Sequence, residues 1–314
     1  MTALNTSFMR ETAAGIESSL DPGRVERFRS LLDGPLAIVA SGGSFTTALL
    51  WAHLHESAGS PAWAMTPHAF SQRLLPAGTR VLLLSASGHH HDIVRNAELS
   101  IERGYETRAV TCRAGSPLGE RVGRAASPDA VFVVGEPRHA DDVIAVQTIV
   151  AFAVLAARTY AGPGPWAPCF EGDTCGLPAC VPRFVVAFGA GAAEPAAVDF
   201  ANKCQEAGLA AAWQTDLRHF AHGQFMMLSS AMPDALLVAF ATRSQRMYVE
   251  RFAAVLPPTT PLHRIEVETE GAAAALSLIA RGMRSFEQLL ACGGGPPTMA
   301  TLPAWGRAVY ELEP

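Results

Sequence analysis

Lysine is almost absent from this chain. Of the 24 basic residues only Lys203 is a lysine, and the rest are arginines. A guanidinium stays protonated and forms no imine, so chemistry that needs an amine side chain has one candidate. Long apolar runs are lacking too. The longest, 143–157, is interrupted by Gln147 and Thr148 and falls short of the ~20 residues that span a bilayer. It reads as a buried helix, and no membrane partner is expected. Basic charge is scarce: the formal net charge is −5 and there is no basic tract, which argues against nucleic acid as a partner. The six cysteines, at 112, 169, 175, 180, 204 and 292, are too few and too scattered for a disulfide scaffold. A reducing cytoplasm fits them best. The first residues, MTALNTSFMRETAAG, lack a basic start followed by an apolar core, so no secretory signal is expected.

What is present is a globular balance, 49% hydrophobic and 17% charged over 314 residues. A single core rarely grows past roughly 250–300 residues, so two compact units are expected. Residues 8–33 carry apolar side chains at helical spacing, broken at Pro22-Gly23. A rhythm of short apolar runs and longer amphipathic stretches follows. Strands are predicted at 36–40, 81–85, 107–111 and 130–134, with helices over 45–57, 92–103 and 139–160. Residues 161–182 are dense in Gly, Pro and Cys without periodicity and mark a domain boundary. The rhythm then restarts, with strands at 184–188, 211–214, 235–240 and 262–267 and helices over 195–207, 245–255 and 271–291. Strands alternating with helices of ten or more residues imply parallel pairing through crossover helices. The reading is therefore α/β: two doubly wound, flavodoxin-like parallel-sheet subdomains, the second repeating the first. The segments are an N-terminal helical piece (1–34), a first subdomain (35–160), a linker (161–182), a second subdomain (183–300) and a tail (301–314).

Two turns stand out in the first half. Ser41-Gly42-Gly43-Ser44 follows a strand and opens a helix, where glycines let backbone N–H groups approach an anion. Ser85-Ala86-Ser87-Gly88-His89-His90-His91-Asp92 occupies the same position after another strand and puts hydroxyls and backbone donors in one concave turn. The bland reading of each is a polar strand-to-helix turn; the pair together suits a phosphate. The histidine run invites a metal, but consecutive residues at a helix start point in different directions, so no metal is expected. The cysteines of the linker, 169, 175 and 180, do not have a zinc spacing either. In the second half, Lys203 and Glu206 share one helix face, and His222-Gly223 follows an aromatic residue. On periodicity alone these read as a solvated ion pair and a packed loop histidine.

These motifs resemble the tandem sugar isomerase (SIS) domain family. The Gly-rich turn ending in Ser44 and the Ser85-Ala86-Ser87-Gly88 turn look like its phosphate loops. Gly189-Ala190-Gly191, Pro195, Lys203-x-x-Glu206 and His222-Gly223 follow in the order seen in glucosamine-6-phosphate synthase isomerase modules and fructosamine-6-phosphate deglycases. Glu206 and His222 are sixteen residues apart, as in both groups. The resemblance implies that Gly43, Ser44, Ser85, Ser87, Gly88 and His90 hold a substrate phosphate. It implies that Glu206 moves a proton between C1 and C2, that His222 assists ring opening or the leaving group, and that Lys203 orients Glu206 or the sugar. It also implies a homodimer and calls for no cofactor.

Several positions depart from the family pattern. His90 stands where Thr is usual, Ala86 where Gln is frequent, and Gln224 replaces the Pro after His-Gly. The tail offers Arg307 where the synthase has a Schiff-base lysine, so synthase chemistry is not expected. The expected activity is deglycation or aldose–ketose isomerisation of an (amino-substituted) sugar 6-phosphate through an enaminol or enediol. The rival is a non-catalytic sugar-phosphate sensor, motivated by His90 and Gln224.

Overall fold

The computed structural model describes residues 6–139, 141, 143–172, 176–177, 181–232, 234–260, 262–295, 297, 303 and 305. Cys175, Cys180 and Arg307, singled out above, lie outside them. The chain divides into two compact units. One comprises Glu11–Ala167; the other is built on Pro168–Thr298, joined by the chain's start up to Arg10.

In the front unit, helices α1 (Met9–Ser19) and α2 (Pro22–Ser30) precede strand β1 (Leu36–Val39). Asp21 ends the first helical stretch and caps the second, accepting from the Arg24 N–H at 2.6 Å, while Pro22 supplies a fixed φ for the first turn. There follow α3 (Gly43–Ser57), β2 (Ala62–Met65), α4 (Pro67–Ser71), β3 (Arg80–Leu84), α5 (His91–Glu102), β4 (Glu106–Thr111), α6 (Pro117–Ala125), β5 (Val131–Val133) and α7 (Gln147–Ala161). The five strands are all parallel, in the order β2-β1-β3-β4-β5. The order reverses between β1 and β3, which is where a doubly wound sheet opens a crevice at its strands' carboxyl ends. One face of the sheet buries Ala37, Val39, Val81, Leu83 and Ala109 against Phe70, Ile93, Ala97, Leu118 and Val122 of α4, α5 and α6.

In the back unit come β6 (Phe184–Phe188), α8 (Glu194–Glu206), β7 (Ala211–Thr215), α9 (Leu217–His219), a kinked turn (Phe220–Gln224), α10 (Met226–Ser230), β8 (Leu236–Ala241), α11 (Arg246–Val255), β9 (Leu262–Glu266) and α12 (Gly271–Cys292). Its four strands are parallel in the order β7-β6-β8-β9. The two units therefore repeat one strand order, and the α/β reading with two parallel sheets holds.

Several local readings change. The helix expected over 139–160 begins at Gln147. The Asp141 carboxylate accepts from the backbone N–H groups of Val146 (2.9 Å), Gln147 (2.7 Å) and Thr148 (2.9 Å), so it caps the helix rather than joining it. Strand β2 and helices α4 and α6 were not anticipated. β2 has four residues, two of them alanine, and forms the sheet's edge. It gains its identity from pairing with β1, not from propensity.

His55 of α3 is buried, with Nδ1 2.8 Å from the Tyr160 hydroxyl and Nε2 2.7 Å from the Gly34 carbonyl. The carbonyl can only accept, so Nε2 carries the proton and Nδ1 accepts from tyrosine. Burial holds the imidazole pKa below its usual value, against the raising effect of the Gly34 carbonyl. The unfolded chain then binds the proton first. Stability from this residue is complete above the unfolded pKa near 6.5 and is lost as pH falls from there through the lower folded value. We expect the denaturation midpoint to drop from pH 7 to pH 5, and His55→Asn to flatten that drop; an unchanged slope would assign it to other groups.

Candidate functional site

The two serine turns sit side by side. One follows β1 and the other β3, adjacent parallel strands at the switch point of the front sheet. At the first turn, α3 starts on Gly42, with φ +53° and no side-chain cap. Phe45 N–H closes on Gly42 O at 2.9 Å, and no side chain caps the N–H groups of Gly43 and Ser44 at the start of this 15-residue helix, the position at which an anion binds. Gly43 is there for a second reason. A Cβ on it would lie 2.7 Å from the Ala145 Cβ and 3.3 Å from Ile149 Cδ1, so only glycine lets the turn approach the start of α7. Ser44 is half-buried in the first turn of the helix.

The second turn is fixed on all sides. Ser85 donates its N–H to Val110 O (3.1 Å), Cys112 N–H donates to Ala86 O (3.0 Å), and Leu118 N–H donates to Gly88 O (3.0 Å). Thr111 Oγ1 adds a bond to Ala86 O at 3.1 Å. Ser85 Oγ accepts from Gly88 N–H (3.1 Å) and Ser87 Oγ from His89 N–H (3.2 Å). The serines thus shape the turn while keeping hydroxyl protons to offer. Gly88 is buried with φ +63°, and a Cβ there would stand 2.5 Å from Ser116 Oγ. Thr111 and Ser116 are supports that the sequence reading missed; Ser116-Pro117 carried a helix-cap signal, but nothing in it pointed at the turn.

Gly88→Ala should cost ~1–2 kcal/mol from the backbone alone, with the clash in addition. We expect a lower melting temperature and weakened phosphate-ester binding by titration calorimetry. Unchanged affinity would show that the turn's shape is irrelevant to the ligand.

His90 is the N-cap of α5. Its backbone is extended (φ −60°, ψ 131°), and its side chain accepts from Asp92 N–H. The residue expected to face a phosphate therefore already satisfies one helix-end donor.

In the back unit, Lys203 and Glu206 both lie on α8, but the surface ion pair between them is replaced by another. Lys203 is buried, and its Nζ donates to Asp199 Oδ1 at 2.6 Å, with only 2% and 3% of the two side chains exposed. Asp199 was missed, although acid four residues before base on one helix is a legible signal. Glu206 keeps more than a third of its surface open. Even so, the surrounding protein strips enough water to push its carboxyl above the ordinary range, with Lys203 opposing and Asp199 reinforcing the shift. Cys204, buried beside them, is an inert thiol, its pKa pushed up to about 12 by desolvation.

His222 is exposed at the kink between two helical turns, with φ −89° and ψ 28°. Asp216 caps the preceding α9 through the N–H groups of Arg218 (2.8 Å) and His219 (2.9 Å). Phe220 anchors the turn, its ring centroid 5.0 Å from that of Phe188 and 5.9 Å from that of Phe252. Gly223 reverses the chain with φ +124°.

No family model and no curated protein matches the chain. Solved structures do match. The chain is similar to a protein provisionally named a phosphosugar isomerase from Silicibacter pomeroyi DSS-3, at 18% identity and TM-score 0.72, covering 94% of this chain and 100% of that one. It is similar to the C-terminal domain of glucosamine-fructose-6-phosphate aminotransferase from Francisella tularensis, at 14% identity and TM-score 0.66, covering 92% and 95%. It is also similar to tagatose-6-phosphate ketose/aldose isomerase from Escherichia coli, at 16% identity and TM-score 0.67, covering 93% and 92%. At these identities the likeness establishes the fold. It is the double α/β fold of phosphosugar isomerase structures, which agrees with the tandem SIS resemblance of the motifs. No helix among the described residues is long and apolar enough to cross a membrane.

Proposed function

We propose that the protein is an enzyme acting on a sugar 6-phosphate, by deglycation or by aldose–ketose isomerisation. The observation that supports it most is the pair of serine turns on adjacent strands at the front sheet's switch point. An uncapped helix start and two hydroxyl-lined turns are a setting for a phosphate ester. In this reading Gly43, Ser44, Ser85, Ser87 and Gly88 bind the phosphate. Glu206 takes a proton from the carbon beside the carbonyl, and the resulting enediol or enaminol is reprotonated at the neighbouring carbon. With hydroxyl groups on both carbons the outcome is isomerisation. With an amine on C1 the outcome is an imine there, which water hydrolyses to the aldehyde and the free amine. His222 handles the proton at oxygen or nitrogen.

A second reading is a sugar-phosphate sensor that binds without turnover. The burial of Lys203 against Asp199 favours it, because the amine is committed within the helix. One experiment separates the readings. The protein is mixed in deuterated water with fructose 6-phosphate and with an amine-substituted 6-phosphate, and proton exchange at C1 and C2 is followed by NMR. Exchange supports the enzyme. Binding without exchange supports the sensor, and no binding overturns both.

A further inference from the structure

We propose that His90, His91 and Asp92 form a binding site for a divalent transition-metal ion of the zinc class. One ligand atom from each of the three residues can be chosen so that all lie within 4.8 Å of one another. His91 Nε2 is 3.1 Å from Asp92 Oδ1, and His90 Nδ1 is 3.6 Å from Asp92 Oδ2. The carboxylate thus faces one imidazole at each oxygen. Ligand atoms around a tetrahedral ion with metal–ligand distances near 2.0–2.2 Å stand about 3.3–3.5 Å apart; the two imidazole–carboxylate separations bracket that value, each to a different oxygen, so a small side-chain rotation must close the set on one ion.

Adjacent residues in a helix splay apart by about 100° and would not converge. They converge here because His90 is outside the helix. Its extended N-cap backbone folds the side chain back over the first turn, where its ring stacks on that of His91 with centroids 4.4 Å and planes 27° apart; the stack brings the two residues together, and ligation of one ion requires the rings to turn from it. All three residues are half-buried, which lowers the cost of taking their donors from water. His89, the third histidine of the run, turns the other way, with Nδ1 2.6 Å from its neighbour Ser87 O.

The donor set decides the metal. Two imidazoles and one carboxylate suit zinc, cobalt or nickel, whereas magnesium and calcium require oxygen ligands. Three protein ligands leave a position for water or another ligand. Asp92 also lines an open cleft of about 760 Å³ between α4 and α5, with His68, Asn96 and Glu98 among its other walls, and this gives the ion a route in. The helix N-terminus disfavours a cation, and the Asp92 charge offsets this. Ligation through His90 Nδ1 replaces its bond from Asp92 N–H, which is long at 3.3 Å.

The test is direct. The full chain, stripped with chelator and dialysed, is titrated with zinc chloride and separately with cobalt chloride. We expect one equivalent per chain and, for cobalt, the visible absorption of a low-coordinate site. His91→Ala and Asp92→Asn should each weaken zinc binding at least tenfold, while His89→Ala should not. Circular dichroism checks that the variants are folded. Absence of stoichiometric zinc binding in the parent overturns the proposal, as does retention of full affinity in His91→Ala and Asp92→Asn, or equal loss in His89→Ala. If a variant is unfolded, the parent's cobalt spectrum and stoichiometry decide the matter alone. Phosphate-ester binding is a separate measurement, so failure here leaves the sugar-phosphate reading standing.

Discussion

Glu206→Gln is expected to fold like the parent and to lose turnover by ~10²–10⁴-fold, the range for removing a general base. The side chain is partly exposed at the end of α8, so the isosteric amide disturbs no core packing. The measurement is steady-state turnover of whichever 6-phosphate shows proton exchange. Near-parental turnover would remove Glu206 from the mechanism. The carboxyl pKa is raised by lost hydration, so the acidic limb of kcat/KM should lie above the ordinary carboxylate range. Activity rises as pH passes upward through that raised value, because only the ionised form accepts a proton. The same shift carries a stability sign. Ionising Glu206 costs folding free energy, so its favourable contribution is complete below pH 4.5 and is lost as pH rises through the folded pKa.

Lys203→Met should strongly destabilise the back unit. It removes the ammonium that lies 2.6 Å from Asp199 in a site where both side chains are at least 97% covered. Breaking a buried pair from one side costs ~3–5 kcal/mol, because the remaining charge stays out of water. Thermal unfolding should fall by on the order of 10 °C. Lys203→Met with Asp199→Leu should recover much of the loss, since both charges then leave together. Parental stability in the single variant would mean that the pair contributes little. A second readout separates positioning from mere stability. Lys203 lowers the Glu206 pKa, so in the folded single variant the acidic limb should move to higher pH. A fixed limb would deny Lys203 any influence on the base.

The strands and most helices were legible because they repeat a simple pattern. β1, β8 and the last four residues of β3 are continuous apolar runs buried on both faces, and α5 and α6 each bury one stripe. β2 was illegible because an edge strand of four residues carries too few side chains to set a period. The start of α7 was misplaced because Asp141 reads as part of a polar helix turn until its backbone partners are seen. The serine turns were visible as residue types, but their adjacency depended on β1 pairing with β3 across the crossover through β2.

The sequence by itself determined the class of fold, the identity of the two serine turns and the scarcity of amine side chains, since each is written in local pattern or composition. The tertiary structure decided which charges meet. It turned Lys203 from its neighbour on the surface to Asp199 in the interior, and it made His90 a cap whose ring returns to His91 and Asp92. The physical reason is that periodicity reports only which face of an element is apolar. The partner of a charged group is set by desolvation and by backbone geometry at element ends, and both exist only once the chain is packed.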